Sequence, residues 1–212
     1  MARFGINANN TLGVTIPDLR KIAKEIGESY LLAQELWASG IHEARILVSM
    51  IREAEMVTEK EMEGWVKDFN SWDVCDQFCN NLFYKTKFAY KKANEWSKRK
   101  EEFVKRAGFA LMASLAVHDK NAGDEKFLGF LSAIKRESKD ERNFVKKAIN
   151  WALRQIGKRN INLNKKAIET AEEIQQIDSK SAKWIAQDAI RELTSKPIQE
   201  RLKTKAIGLQ KN

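Results

Sequence analysis

Turn-makers and thiols are scarce in this chain of 212 residues. Two prolines, Pro17 and Pro197, and ten glycines are too few for an all-β chain, whose short strands need breakers at close intervals. No apolar run approaches the roughly 20 uncharged residues of a membrane-spanning helix, and the mean hydropathy is −0.52. Met1 to Gly13 lacks the basic-then-apolar order of a secretion signal. No internal stretch is rich in Ser, Pro or Gln, which excludes low-complexity disorder. The two cysteines, Cys75 and Cys79, stand one helical turn apart with no second pair. A zinc site takes about four ligands, and His42 and His118 lie far away in sequence. The pair reads as core thiols of a reduced, cytoplasmic protein with no metal and no cofactor. Enzyme signatures are missing too: no G-x-x-x-x-G-K, G-x-G-x-x-G, H-E-x-x-H or G-x-S-x-G occurs. His118 and Asp119 are adjacent on a helix and face apart, so His118 reads as a helix-end residue.

Charge is what the chain has in quantity. Thirty-eight Lys and Arg against 29 Asp and Glu give a net +9, with a pI near 9.5. The distribution is lopsided. Residues 1–78 hold 8 basic and 13 acidic side chains, and residues 79–212 hold the other 30 and 16. A segment of net +14 points to a polyanion, most simply nucleic acid. The competing reading is a basic protein with well-solvated helices.

Helical periodicity recurs from end to end. Thr15-Ile16-Pro17-Asp18 is a helix start with Thr15 as N-cap, and Gly27 is its stop. Ser29 can cap the next helix, and Ile41 opens another. Thr58-Glu59-Lys60-Glu61 is a capping box before Met62, Trp65, Val66 and Phe69. Ser71 can cap a helix to about Tyr84, and Thr86 another to about Trp96. Further helices are expected at roughly 100–117, 124–136, 140–157, 164–175, 181–194 and 197–205, a dozen in all with no competing strand pattern. Alternate helices start roughly 30–40 residues apart, close to the spacing of helix-pair repeats, although no residue-level repeat survives. The expected fold is all-α: a superhelix of degenerate helix-pair repeats with a concave basic face, a single domain over 1–212 with poorly ordered ends at about 1–12 and 206–212. An ordinary globular bundle is the alternative.

Three helices carry residues that leave the core pattern. In 140–157, Phe144, Val145, Ala148, Ile149, Ala152, Leu153 and Ile156 form one broad apolar stripe. Lys147, Trp151, Arg154 and Lys158 fall on the opposite side, and residues 135–166 hold eleven Lys or Arg against three acids. A tryptophan among cations and off the packing face is unusual for a residue that normally supplies core area; packing against a further helix is the plainer explanation. In 71–84, Val74, Cys75, Phe78 and Leu82 make the apolar stripe, while Trp72, Asp76 and Asn80 share another face. Asp76 pairing with a neighbouring Lys is the plain reading there, and Asp73 reads as a dipole partner at the helix start. The helix from Phe103 to Val117 is apolar on nearly every side, with Arg106 interrupting it. Such a cation needs a partner, for which Asp76 is a candidate, unless it reaches water at the helix edge.

Three runs together carry a resemblance. Phe69-Asn70-Ser71-Trp72-Asp73-Val74-Cys75-Asp76, the Arg106 helix, and Asn143-Phe144-Val145-Lys146-Lys147-Ala148-Ile149-Asn150-Trp151-Ala152-Leu153-Arg154 resemble the DNA alkylation repair enzyme family. Its members are HEAT-like-repeat glycosylases that remove N3- and N7-alkylated purines. Gly13-Val14-x-x-Pro17-x-x-Arg20 is similar to the family's opening repeat, and the likeness spans about residues 12–195. It implies that Trp72 and Trp151 match aromatic positions contacting the sugar backbone at the lesion. It further implies that Asp76 matches the catalytic carboxylate and Arg106 a basic residue near it that contacts the DNA backbone. Lys105, Lys146, Lys147, Arg154, Lys158 and Arg159 are the expected remaining contacts to double-stranded DNA, alkylated or structurally altered, made by a monomer. The chain departs from the family in Ser71-Trp72, where two tryptophans often stand together, and in Asn150, where the family has Gly. It also begins close to the first shared repeat, whereas longer members carry extra helices before it.

The residue types suit that chemistry. An alkylated purine is cationic, so it leaves without protonation, and cleavage builds positive charge on the deoxyribose. One carboxylate can stabilise that charge and position water, and indole faces add on the order of 0.5–2 kcal/mol each. A second acid is unnecessary, which fits the lack of an acidic dyad. Two functions of different class follow: an alkylpurine DNA glycosylase, or a non-catalytic scaffold that binds DNA of altered structure. A protein-binding solenoid would leave the +14 segment unexplained.

Overall fold

The computed structural model describes residues 10–209, with the side chains of residues 208 and 209 left aside. Among them are twelve α-helices, two short 3-10 turns at Ala54–Met56 and Phe83–Lys85, and no strand. No described helix is long and apolar enough to cross a membrane. The chain divides into two compact units, residues 1–91 and 92–212, with the boundary inside one helix, α6 (Ala89–Trp96).

The first unit contains α1 (Ile16–Ile26), α2 (Tyr30–Ala38), α3 (His42–Ile51), α4 (Glu59–Lys67) and α5 (Trp72–Asn81). α3 packs against α1 on one side and α5 on the other, with α2 laid against it. Its starts follow the sequence closely. Thr15 accepts the Asp18 amide, Ser29 accepts the Leu32 amide, and both halves of the Thr58–Glu61 capping box are made. Each such cap is worth about 1 kcal/mol. The core is aromatic: Trp37, Trp65, Phe69, Phe78 and Phe83 pack with ring centroids 5.2–6.4 Å apart. Pairs of this kind add about 0.5–1.5 kcal/mol each beyond the area they bury. Cys75 and Cys79 are both buried in this unit and form no disulfide.

The second unit contains α7 (Glu102–His118), α8 (Asp124–Glu137), α9 (Asn143–Gly157), α10 (Ile161–Gln175), α11 (Lys180–Leu193) and α12 (Lys196–Leu209). α9 lies between α7 and α11 in one layer, and α10 between α8 and α12 in the other. Every residue of α7 from Val104 to Ala116 is buried, as its largely apolar pattern predicts, Lys105 and Arg106 included. Gly108 allows that approach: a Cβ there would stand 2.4 Å from the Ser97 backbone nitrogen. The last helix continues to Leu209 rather than stopping near 205. The ends expected to be poorly ordered fall mostly outside the described residues. Within them, the Leu12 amide donates to Glu43 at 2.9 Å.

A repeat invisible residue by residue is plain in the polar ties between successive helices. In the first unit they join residues 31 or 32 apart: Leu12–Glu43, His42–Asp73, Ser49–Asn81 and Glu59–Lys91. In the second, five ties join residues 38 apart, Arg106–Phe144, Asn150–Asp188, Arg154–Glu192, Lys135–Glu173 and Glu141–Ser179, and others span 32–37. Each helix pair thus touches its neighbour at about one repeat length, the property that defines repeat architectures. The ordinary-bundle alternative fails on this regularity.

Candidate nucleic-acid interface

In the first unit the informative helix is α5. Val74, Cys75 and Phe78 are buried along one side. Trp72 and Asp76, one turn apart on another, are both half-buried, as is Asn80. Ser71 does not cap the helix as expected. Its hydroxyl donates to the Asp73 carboxylate instead. The other Asp73 oxygen is 2.8 Å from Nε2 of His42, which is 5% exposed. The Asp73 hydrogen bond raises the His42 pKa above its usual range. Burial alone would raise Asp73, but its hydrogen bonds to His42 and Ser71 hold it below the ordinary carboxylate range. Asp73 is therefore a structural tie between α3 and the start of α5, more than a dipole partner. That leaves Asp76 as the carboxylate on the same face as Trp72.

In the second unit α9 is the counterpart. Its apolar stripe is buried from Val145 to Ile156, while Phe144 is partly exposed with its ring 5.7 Å from that of Phe103. Trp151 is half-buried, with no ring, cation or hydrogen-bond partner among the described residues. The residue before it, Asn150, is 2% exposed and donates to Asp188 at 2.7 Å. Arg106, 6% exposed, donates to the Phe144 carbonyl at 2.6 Å. It is an internal cation rather than one reaching water at the helix edge, and it ties α7 to the first turn of α9.

Most of the expected cationic contacts are otherwise engaged. Lys105 is buried, with Nζ 2.7 Å from Glu137 and 3.3 Å from Asp140. Both carboxylates also face an arginine, Arg136 beside Glu137 and Arg142 beside Asp140, so Lys105 belongs to a partly buried ion-pair network and its charge is engaged there before it can meet DNA. Arg159 donates to the carbonyls of Ala116 (2.8 Å) and Ala122 (3.1 Å) and lies 4.0 Å over the Phe127 ring. It ties α9 to the end of α7, and the guanidinium is largely committed there. Arg154 and Lys158 share Glu192 of α11, Lys158 at 2.6 Å, and Asp188 lies 3.6 Å from Arg154. Lys146 sits 5.5 Å over the Trp184 ring. Lys147 is exposed and makes no ion pair among the described residues.

Wheel arithmetic on single helices missed Asp188, Glu192 and His42, because each acts on a helix one repeat away. A one-repeat offset applied to the charges, Arg154 to Glu192 for example, would have found them. No group of His, Cys, Asp or Glu among the described residues is arranged to hold a metal.

Stacked helix pairs throughout the described residues, with a tryptophan–carboxylate pair on α5 and a tryptophan amid cations on α9, define a repeat protein of the HEAT-like class. The comparisons agree. Residues 1–193 match the family described as DNA alkylation repair enzyme, and the chain belongs to that family. A solved structure with TM-score 0.73 covers 90% of this chain and 86% of its own at 20% identity. It is described as representing a new family related to the HEAT-like repeat DNA glycosylases with affinity for branched DNA structures. At that identity the likeness is one of fold. No curated protein matches the chain.

Proposed function

We propose that this protein is a DNA glycosylase that hydrolyses the N-glycosidic bond of cationic N3- or N7-alkylated purines in duplex DNA. One observation carries the reading: Trp72 and Asp76 stand one turn apart on the same half-exposed face of α5. In this reading Asp76 stabilises the oxocarbenium-like sugar and positions water. Trp72 and Trp151 lay their faces on the sugar backbone. Arg106 serves as a positioning residue, holding the first turn of α9 through the Phe144 carbonyl. Lys146 and Lys147 meet phosphates directly, and Arg154 and Lys158 do so in competition with Glu192.

The test is release of 7-methylguanine from methylated duplex DNA under single-turnover conditions. Asp76→Asn keeps the shape and removes the charge, so excision should fall by on the order of 10²–10³ while the dissociation constant changes little. Wild-type rates in Asp76→Asn would make the carboxylate structural.

A second reading is a non-catalytic scaffold for DNA of altered structure. The neutralised cations on α9 favour it, since a face half-covered by Glu192 and Asp188 suits shape recognition better than tight duplex tracking. The similar solved protein's described affinity for branched DNA points the same way. Binding of a four-way junction well above duplex, with no base release, would select this reading.

A further inference from the structure

A second cationic feature lies within the second unit, where the end of α7, the start of α8, the end of α9 and α12 meet. A pocket of about 270 Å³ is lined there by Lys120, Lys158, Arg159, Arg201 and Lys205, with Asp124 as its one lining carboxylate. Asn160 and Asn162 each donate to Asp124 at 2.7 Å, but neutral amides leave its charge in place, and it offsets one of the lining cations. Lys158 spends its charge on Glu192. Lys120, Arg201 and Lys205 form no ion pair among the described residues. Lys120 donates to the Val117 carbonyl and Lys205 to the Lys158 carbonyl at 3.3 Å. Carbonyls satisfy donors but carry no formal charge.

Cations at helix C-termini are ordinary, so the amounts matter. A helix end contributes roughly half a negative charge, and α7 and α9 both end at this pocket. Together they offset about one charge, Asp124 another and Glu192 a third, so the five lining cations leave about two in surplus. The surplus is felt locally: burial and then the charges of Arg201, Lys120 and Arg159 press the Lys205 pKa below the usual lysine value. A site with two surplus positive charges and fixed donors is built for an anion with several acceptor oxygens.

We infer that this pocket binds phosphate, and that its phosphate is a backbone group of a DNA strand running along α9 from Trp151. Lys158 follows Trp151 by seven residues, nearly two full turns, which places the pocket mouth about 10 Å further along the same stripe. That is about three base-pair rises at ~3.4 Å each along one strand. The pocket would anchor the strand roughly three nucleotides from the indole and fix the register in which Trp151 meets it. Naming DNA as the source rests on the function proposed above. The affinity for phosphate does not.

The experiment compares wild type with the triple variant Lys120→Gln/Arg201→Gln/Lys205→Gln in two arms. A double variant, Lys120→Gln/Arg201→Gln, serves if the loss of half-buried Lys205 impairs folding. In the first arm, duplex affinity is measured across a salt series, and the triple variant should flatten the log–log slope by about 0.9, the value for one lost phosphate contact. In the second, inorganic pyrophosphate should raise the melting temperature of wild type and not of the variant. Loss of both effects overturns the inference. A pyrophosphate effect with wild-type and variant duplex slopes alike keeps the phosphate site and overturns its DNA source. A wild type that binds pyrophosphate but no DNA overturns the proposed function and leaves the pocket standing.

Discussion

Glu192 is the residue whose removal should improve DNA binding. It accepts from both Arg154 and Lys158, the two cations that flank Trp151 on the C-terminal side. Burial alone would raise its pKa, but those two partners hold it below the ordinary carboxylate range. It is therefore fully charged at neutral pH and neutralises the stripe. Glu192→Gln keeps the volume and one acceptor while removing the charge. Lys158 then loses its only carboxylate, whereas Arg154 keeps Asp188 at 3.6 Å. Between one and two cations are released, so the log–log salt slope should steepen by about 0.9–1.8. Between 50 and 200 mM salt, affinity should fall roughly 3–12-fold more than it does for wild type. Binding at the low-salt end should be tighter than wild type.

Stability moves the other way, and that separates the effect from general damage. Arg154 and Glu192 are each 28% exposed and Lys158 17%, so solvent screens the pairs and the loss is about 1 kcal/mol or less. The assay is fluorescence anisotropy with labelled duplex over the salt series, paired with a thermal melt. An unchanged slope, or weaker binding at low salt, would refute the view that α11 masks the α9 stripe.

Three further outcomes follow from the packing and the ion pairs. Gly108→Ala drives a Cβ into the Ser97 and Trp96 backbone, and should cost about 1–3 kcal/mol in urea denaturation. Lys105→Gln removes the cation shared by Glu137 and Asp140, which keep only Arg136 and Arg142, and should lower the melting temperature while leaving the DNA salt slope unchanged, since the lysine is engaged in that network. The His42–Asp73 pair makes stability pH-dependent. The His42 pKa is raised from 6.5, so its contribution is complete below that value and is lost as pH rises through the folded one. The Asp73 pKa is lowered from 3.8, so its contribution is present above that value and is lost as pH falls through the folded one. The pair therefore supports the fold most between these two values. Melting temperature should decline from about pH 6 to 9 in wild type, and His42→Gln should remove that part of the decline.

Single-helix reasoning recovered much of this molecule. The capping box at Thr58–Glu61, the Pro17 start and the twelve helices follow from short-range chemistry that a window of one helix contains. The α9 stripe likewise needs nothing beyond a 100° step. Ser71 was misread because its local rule, hydroxyl to backbone amide, lost to a carboxylate two residues away that was itself held by His42. Arg106 was undecided from sequence because a lone cation in an apolar helix has two exits, and only the neighbouring Phe144 carbonyl decides between them. The flanks of Trp151 were identified correctly as basic, yet their charges are largely cancelled from a helix 38 residues on.

That cancellation bears on how the net charge should be used. A segment of net +14 suggests a broad phosphate-tracking face, but ion-pair geometry redistributes it. Lys105, Lys135, Arg154 and Lys158 each face a carboxylate on another helix within 4 Å, so they hold repeat to repeat before they can hold DNA. Along the stripe that carries Trp151, the charge without a carboxylate partner sits at Lys146 and Lys147 at one end and in the Lys120, Arg201 and Lys205 pocket at the other. Such a protein would grip a strand at a few points around an exposed indole rather than along its whole length. Its duplex salt slope should therefore reflect roughly three phosphate contacts, at Lys146, at Lys147 and in the pocket, about −2.7, and not the larger value that thirty basic residues would suggest. A slope near −8 or steeper would mean that DNA displaces the internal carboxylates wholesale, and that the ion pairs between repeats open on binding.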